Sequence, residues 1–291
     1  MKYGRLLIAF IALNMNTLTN AVAGNLNPDS IINTFRGHQT NRIDNAHCLN
    51  GFFEKLNNYS LAKENKEECG RRPKVLMIGD SHVAGKVLPT QLNDTLSRVW
   101  DFCFESYSKI GVQLNYFLKD ELMNKILAYK PDLLIVALGT NEANDENFST
   151  ERYTRLLQTF YDRVMRGSDS TTTLLFTTAP GAYKKLFRAD KKTFTRVNNP
   201  RNKVVADCQI DFCNTHDIAI WDLLDMAGGA IAAENWKRAR LMTADSIHYT
   251  AEGYTIHAQL LATALINAKR QYDEKTKDNE NDEDNTISTE P

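Results

Sequence analysis

The 291-residue chain lacks a stretch able to cross a bilayer: the apolar run near its start, residues 6–13 (LLIAFIAL), is far short of the roughly 20 residues a spanning helix needs. It lacks any C-x2-C pair or compact Cys/His cluster, which argues against a zinc site. Net charge is almost absent, at −1, so nothing points to nucleic acid. No repeat or linker interrupts the body. What remains, 42% hydrophobic and 24% charged, is the make-up of a soluble chain that can bury a core.

The two ends differ from the middle. Lys2 and Arg5, the run at 6–13 and Ala21-Val22-Ala23 form the charged, apolar and small-residue regions of a cleavable secretory leader over 1–23. That predicts export, to the periplasm or outside the cell, with no stable membrane insertion after cleavage. Residues 273–291 hold eight acids against two lysines and almost nothing apolar, and read as a disordered tail. Setting leader and tail aside leaves 31 basic and 28 acidic residues, so the folded body is slightly positive.

Five cysteines in an exported chain predict at least one disulfide and one odd thiol. Cys48 and Cys69 flank a polar segment ahead of the first strand and are the first choice for a pair. Cys103 sits in an apolar stretch and reads as a buried thiol. Cys208 and Cys213 fall in one predicted helix, where five residues separate their α-carbons by roughly 8.6 Å, too far to bond unless the helix frays.

From residue 74 onward short β-rich runs alternate with longer amphipathic ones. Strands are predicted at 75–78, 100–107, 133–138, 174–177 and 218–221, and helices at 87–99, 117–129, 148–165, 203–214 and 253–270. The run LLIVAL at 133–138 has no polar face and predicts a strand buried on both sides. Strands joined by single helices mean right-handed crossovers, a parallel sheet and a three-layer α/β/α sandwich, with sites at the carboxyl ends of the strands. The body is therefore read as one domain over 74–272, with 24–73 as an N-terminal extension packed on it.

Three polar clusters carry the chemistry. Gly79-Asp80-Ser81-His82 follows the first strand, Gly139-Thr140-Asn141-Glu142 follows the third, and Asp245-Ser246-Ile247-His248 precedes the last helix. Singly, each is an ordinary turn or helix cap. Together they supply a hydroxyl, a base, a carboxylate to orient the base, and donors for an oxyanion, which is what serine nucleophiles require.

This pattern resembles the SGNH (GDSL-type) hydrolases over about residues 74–270. The resemblance implies that fold, with a five-stranded, mainly parallel, flavodoxin-like sheet, and a catalytic Ser81–His248–Asp245 set. It implies an oxyanion hole from the N–H groups of Ser81 and Gly111 and the Asn141 side chain, and no metal or organic cofactor. The first block reads GDSH where GDSL is usual, and the third reads GTNE where G-x-N-D is usual. With "TTAPGAY" and "DSIHYTAEGY", these variants are similar to exported peptidoglycan O-acetylesterases. The implied activity is removal of O-acetyl groups from a cell-envelope glycan, peptidoglycan first. An esterase for another polysaccharide or a lipid, an O-acetyltransferase, and a non-catalytic glycan-binding protein remain as alternatives.

Other residues are placed by their neighbourhood. Thr140 and Glu142 are expected at the pocket rim, and Trp236 and Tyr249 are candidates to stack on sugar rings. Trp221 reads as core, His257 as a surface or packing residue, and His82 as a structural residue pointing away from Ser81. His38, His47 and His216 belong to no constellation. Residues 183–203 hold eight Lys or Arg against one Asp, just after the fourth strand. They are either a solvated insertion or a mobile lid that attracts an anionic polymer. Oligomeric state is not legible.

Overall fold

The computed structural model describes residues 28–37, 40–167, 172–190 and 192–287. The expected leader over 1–23, His38 and Lys191 lie outside them. The strands are β1 (Lys74–Gly79), β2 (Cys103–Ser108), β3 (Leu133–Ala137), β4 (Thr173–Thr177), β5 (Tyr183–Phe187), β6 (Phe194–Asn198) and β7 (Ala219–Trp221). Five of them form one all-parallel sheet in the order β2-β1-β3-β4-β7. The chain steps outward from β1 to β2, then returns to lay β3 on the other side of β1. That reversal opens a crevice beyond the carboxyl ends of β1 and β3, where sheets of this kind bind ligands.

The helices are α1 (Pro28–Thr34), α2 (Asn50–Glu64), α3 (Ser81–Ala84), α4 (Val87–Leu96), α5 (Asp120–Tyr129), α6 (Thr140–Asn144), α7 (Thr150–Gly167), α8 (Arg201–Thr215), α9 (Leu223–Met226), α10 (Ala232–Arg238) and α11 (Ala251–Ile287). Strand residues alternate between two cores, as the pleat requires. Val75, Met77, Leu133 and Ile135 face a core with Phe52 and Phe53 of α2, Leu88 and Leu92 of α4 and Leu261 and Leu265 of α11. Leu76, Ile78, Leu134 and Val136 face the other, with Met123 of α5, Leu157 and Phe160 of α7 and Phe212 of α8. This is the three-layer sandwich expected from the sequence.

The N-terminal extension is tied to the sheet in two places. Asp44 exchanges backbone hydrogen bonds with Ile220, covering the open edge of β7. At the amino ends of the strands, Asp132 accepts from Lys55 of α2 at 2.8 Å, from both terminal nitrogens of Arg71 at 2.7 and 2.9 Å, and from the N–H of Lys74 at 2.9 Å.

Several details depart from the sequence reading. The basic segment carries secondary structure that was not expected there: β5 and β6 pair as an antiparallel hairpin. Asp190 builds its turn by accepting from the N–H groups of Lys192 and Thr193 and from the Thr193 hydroxyl. The last helix does not stop at residue 270: the backbone stays helical to Ile287, through part of the acidic stretch expected to be disordered. Lys269 pairs with Asp273 at 2.8 Å, one turn on, and Asn57 of α2 donates to the same carboxylate.

All five cysteines are free thiols, which corrects the expected Cys48–Cys69 disulfide. The 15-residue helix α2 lies between them, a rise of about 22 Å that no disulfide spans. Helix α8 continues unbroken to Thr215, so Cys208 and Cys213 stay apart. Cys103 is half-buried.

Candidate active site

The site begins where β1 ends. A Cβ on Gly79 would sit 2.2 Å from Val83 Cγ2 and 2.9 Å from the Ala137 carbonyl oxygen, so only glycine lets the strand turn into α3 this close to β3. Asp80 then caps α3 by accepting from the N–H of His82 at 3.0 Å. Ser81 follows as the first residue of the helix. Beyond β3, Gly139 has φ +129°, a conformation open to glycine, and turns the chain into α6, which carries Asn141.

The third part comes from the loop before α11. Asp245 Oδ1 accepts from the N–H groups of Ile247 and His248 and from the Thr243 hydroxyl, which pins the D-x-x-H turn. Its Oδ2 lies 2.7 Å from His248 Nδ1, and His248 Nε2 lies 2.8 Å from Ser81 Oγ. Ser81 and a D-x-x-H turn more than 160 residues further along the chain thus form one relay. Partial burial works against ionisation of Asp245, but the bonds from the His248 ring, the two N–H groups and Thr243 outweigh it and hold its carboxyl well below the usual range. An ionised Asp245 keeps the proton on Nδ1, so in the neutral imidazole the Nε2 lone pair faces the Ser81 hydroxyl.

The loop carrying Gly111 is gripped by two consecutive residues of α6. Asn141 Nδ2 donates to the Val112 carbonyl at 2.9 Å and to Asp80 Oδ2 at 3.1 Å, while Glu142 Oε1 accepts from the N–H of Leu114 at 2.7 Å. Gly111 itself has φ +74° and lines a cavity together with Asn141. Burial pushes Asp80 up to about 6, against the opposing bonds from His82 and Asn141. Burial likewise pushes Glu142 up to about 7, with Asp80 adding to the shift, and its Oε2 has no hydrogen-bond partner.

The rim and stacking assignments are corrected by burial. Thr140 and Glu142 are 3% and 4% exposed, so both lie inside and not at a rim. Trp236 and Tyr249 are buried and stack on each other with centroids 4.5 Å apart, with Phe35 of the N-terminal extension against the indole; neither ring is open to a sugar. Trp221 is core, its indole N–H donating to Asn41. His257 is buried against Trp221 rather than on the surface.

His82 does not point away from the site. Its ring lies 5.3 Å from that of His248, and its Nδ1 is 3.0 Å from the Tyr254 hydroxyl. Burial lowers its pKa to about 3, so it is a neutral wall behind the relay. Sequence reasoning missed this because adjacent side chains at a turn usually diverge, whereas here the Tyr254 hydroxyl of the distant last helix meets the His82 ring beside His248. It also missed Asp80 and Glu142 as buried carboxylates; the GTNE departure marked Glu142, and nothing in the sequence marked Asp80.

A parallel α/β sheet with a Ser–His–Asp relay at its carboxyl edge defines a class of hydrolytic enzymes. The chain belongs within that class to the GDSL-like lipase/acylhydrolase family, whose model matches residues 75–261. Among solved structures it is similar to a peptidoglycan O-acetylesterase, at 16% identity and a TM-score of 0.63, over 76% of this chain and 96% of that one. It is also similar to a lipase/acylhydrolase from Enterococcus faecalis, at 18% identity and a TM-score of 0.51, over 66% and 94% of the two chains. At these identities the likeness is one of fold. No curated protein matches the chain. The protein is thus an SGNH-type carboxylic ester hydrolase. Among the described residues, no helix is long and apolar enough to cross a membrane, and no cluster of His, Cys, Asp or Glu is arranged to hold a metal.

Proposed function

We propose that this protein is an exported serine esterase that removes O-acetyl groups from a cell-envelope glycan, peptidoglycan first. The observation that carries the chemistry is the unbroken Asp245–His248–Ser81 relay, with spacings of 2.7 and 2.8 Å. His248 Nε2 takes the Ser81 proton as Oγ attacks the ester carbonyl carbon. The oxyanion is held by the N–H groups of Ser81 and Gly111 and by Asn141 Nδ2. Both N–H bonds of that amide are engaged in the free protein, so the oxyanion takes one of them from Asp80 or Val112. His248 returns the proton to the leaving sugar oxygen, which departs and leaves an acetyl ester on Ser81. His248 then deprotonates a water that attacks this ester, releasing acetate and restoring the serine.

The substrate rests on GDSH, GTNE and the other quoted stretches, together with the likeness to a peptidoglycan O-acetylesterase over 96% of that protein's chain. Export rests on the N-terminal pattern over 1–23. Acetate release from O-acetylated peptidoglycan, from acetylated xylan and from long-chain esters, compared at equal ester concentration, tests the assignment. Peptidoglycan is expected to be turned over fastest. Preference for xylan or long-chain esters overturns the substrate, and transfer of acetyl to an added glycan in place of free acetate overturns hydrolysis.

A further inference from the structure

The β5–β6 hairpin stands beside the catalytic loop. Between it and the α6 segment lies a groove of about 630 Å³, lined by Tyr183, Lys184, Lys185, Phe187, Arg196 and Arg201 among others, with Asp245 in its wall. That volume is in the range of sites that hold small organic ligands. Its acidic residues are Asp245, which is engaged by His248, and Glu146, so positive charge prevails. No carboxylate pairs with Lys184, Lys185 or Arg196 among the described residues. The cations are instead set against rings: Lys185 Nζ and the Arg196 guanidinium lie 4.8 and 5.3 Å from the centroid of Phe194, which in turn lies 5.6 Å from Phe187. Leu186 and Phe187 are each 54% exposed, a large apolar area to leave in water beside a catalytic loop.

The hairpin is also fastened to the relay. Tyr183 N–H donates to the Ser246 carbonyl at 2.9 Å, and Arg196 Nε–H donates to the Asp245 carbonyl at 3.0 Å. A chain lying in the groove is therefore held at a fixed offset from Ser81.

We propose that this groove binds a glycan strand bearing carboxylates, with Lys184, Lys185 and Arg196 facing the carboxylates and Phe187 packing on an apolar sugar face, so that the strand's ester is presented to Ser81. This rests on the reading of the protein as a glycan esterase and adds a subsite to it. The geometry favours a strand over a membrane surface because the cations and rings line a concave slot next to Asp245, whereas a bilayer meets a convex face.

Binding is measured without turnover, using full-length Ser81→Ala protein. Cosedimentation with isolated peptidoglycan is compared with peptidoglycan whose carboxylates have been amidated, with cellulose, and with vesicles of anionic phospholipid. The expected result is binding to the carboxylate form, at least tenfold weaker after amidation, weakened by salt, and at least tenfold weaker in Lys184→Gln/Lys185→Gln. The control Lys66→Gln/Lys275→Gln removes the same charge from two exposed lysines outside the groove and is expected to bind like the parent. Equal binding by the groove variant, an equal loss in the control, equal binding to amidated peptidoglycan or cellulose, or binding to vesicles in place of glycan each overturns the proposal. Failure of the esterase reading shows separately, as no acetate released by the unmodified enzyme, and leaves the binding comparison intact.

Discussion

Three carboxylates at the two ends of one sheet are almost equally buried and behave in opposite ways. Asp132, at the amino ends of the strands, is 2% exposed; Asp80 and Glu142, at the carboxyl ends, are 1% and 4% exposed. Burial pushes Asp132 toward protonation, but Lys55, the Lys74 N–H and Arg71 outweigh it and hold its carboxyl below the usual range. Asp80 and Glu142 receive hydrogen bonds only from neutral groups, and rise to about 6 and about 7. The amino end is built for stability. The carboxyl end keeps under-compensated charge where the nucleophile and the oxyanion loop must be placed, a pattern common to functional sites.

Breaking the two ends should give different losses. At the carboxyl end, Ser81→Ala or His248→Ala is expected to lower kcat/KM on an aryl acetate by about 10⁴ or more, with the denaturation midpoint nearly unchanged. Asn141→Ala is expected to lower kcat by roughly 10²–10³, the usual consequence of losing one oxyanion donor. At the amino end, Asp132→Ala removes the carboxylate that Lys55, Arg71 and the Lys74 N–H share, and is expected to cost about 3 kcal/mol in denaturant unfolding while kcat stays within about twofold. An activity loss there as large as at Asn141 would break the division between the two ends.

The smallest effect sharpens the comparison through pH. A carboxyl whose folded pKa is raised contributes stability below its unfolded pKa and loses it as pH rises through the folded value. Glu142 therefore lowers stability between about pH 5 and 8, whereas Asp132, with a lowered pKa, loses its contribution only as pH falls below the ordinary carboxylate range. Glu142→Gln is expected to gain roughly 2 kcal/mol on the parent protein between pH 5 and pH 8. Parallel unfolding curves at the two pH values would contradict a buried, titrating Glu142.

Much of this was legible in the sequence because it is written in local chemistry. Apolar runs such as LLIVAL with no polar face predict buried parallel strands, and β3 is one. The polar blocks after the first and third strands and before the last helix pointed to Ser81, Asn141, Asp245 and His248 as one site once a parallel sheet was assumed. What escaped depended on long-range packing. Whether Trp236 meets a sugar or Phe35 is decided by how the N-terminal extension folds back, which no local pattern encodes. The hairpin escaped because its dense lysines and arginines mask the alternation of Tyr183–Phe187 and Phe194–Asn198. Cys48 and Cys69 were paired across a segment read only as polar, because α2 within it was unrecognised.

The central claim is that Ser81 is a nucleophile activated by His248. An organophosphorus ester that marks activated serines, followed by peptide mass spectrometry, tests it most directly. The account predicts a label on Ser81, loss of aryl-acetate hydrolysis in proportion to labelling, and no label in His248→Ala. An unlabelled Ser81 in protein that still hydrolyses the ester would contradict it.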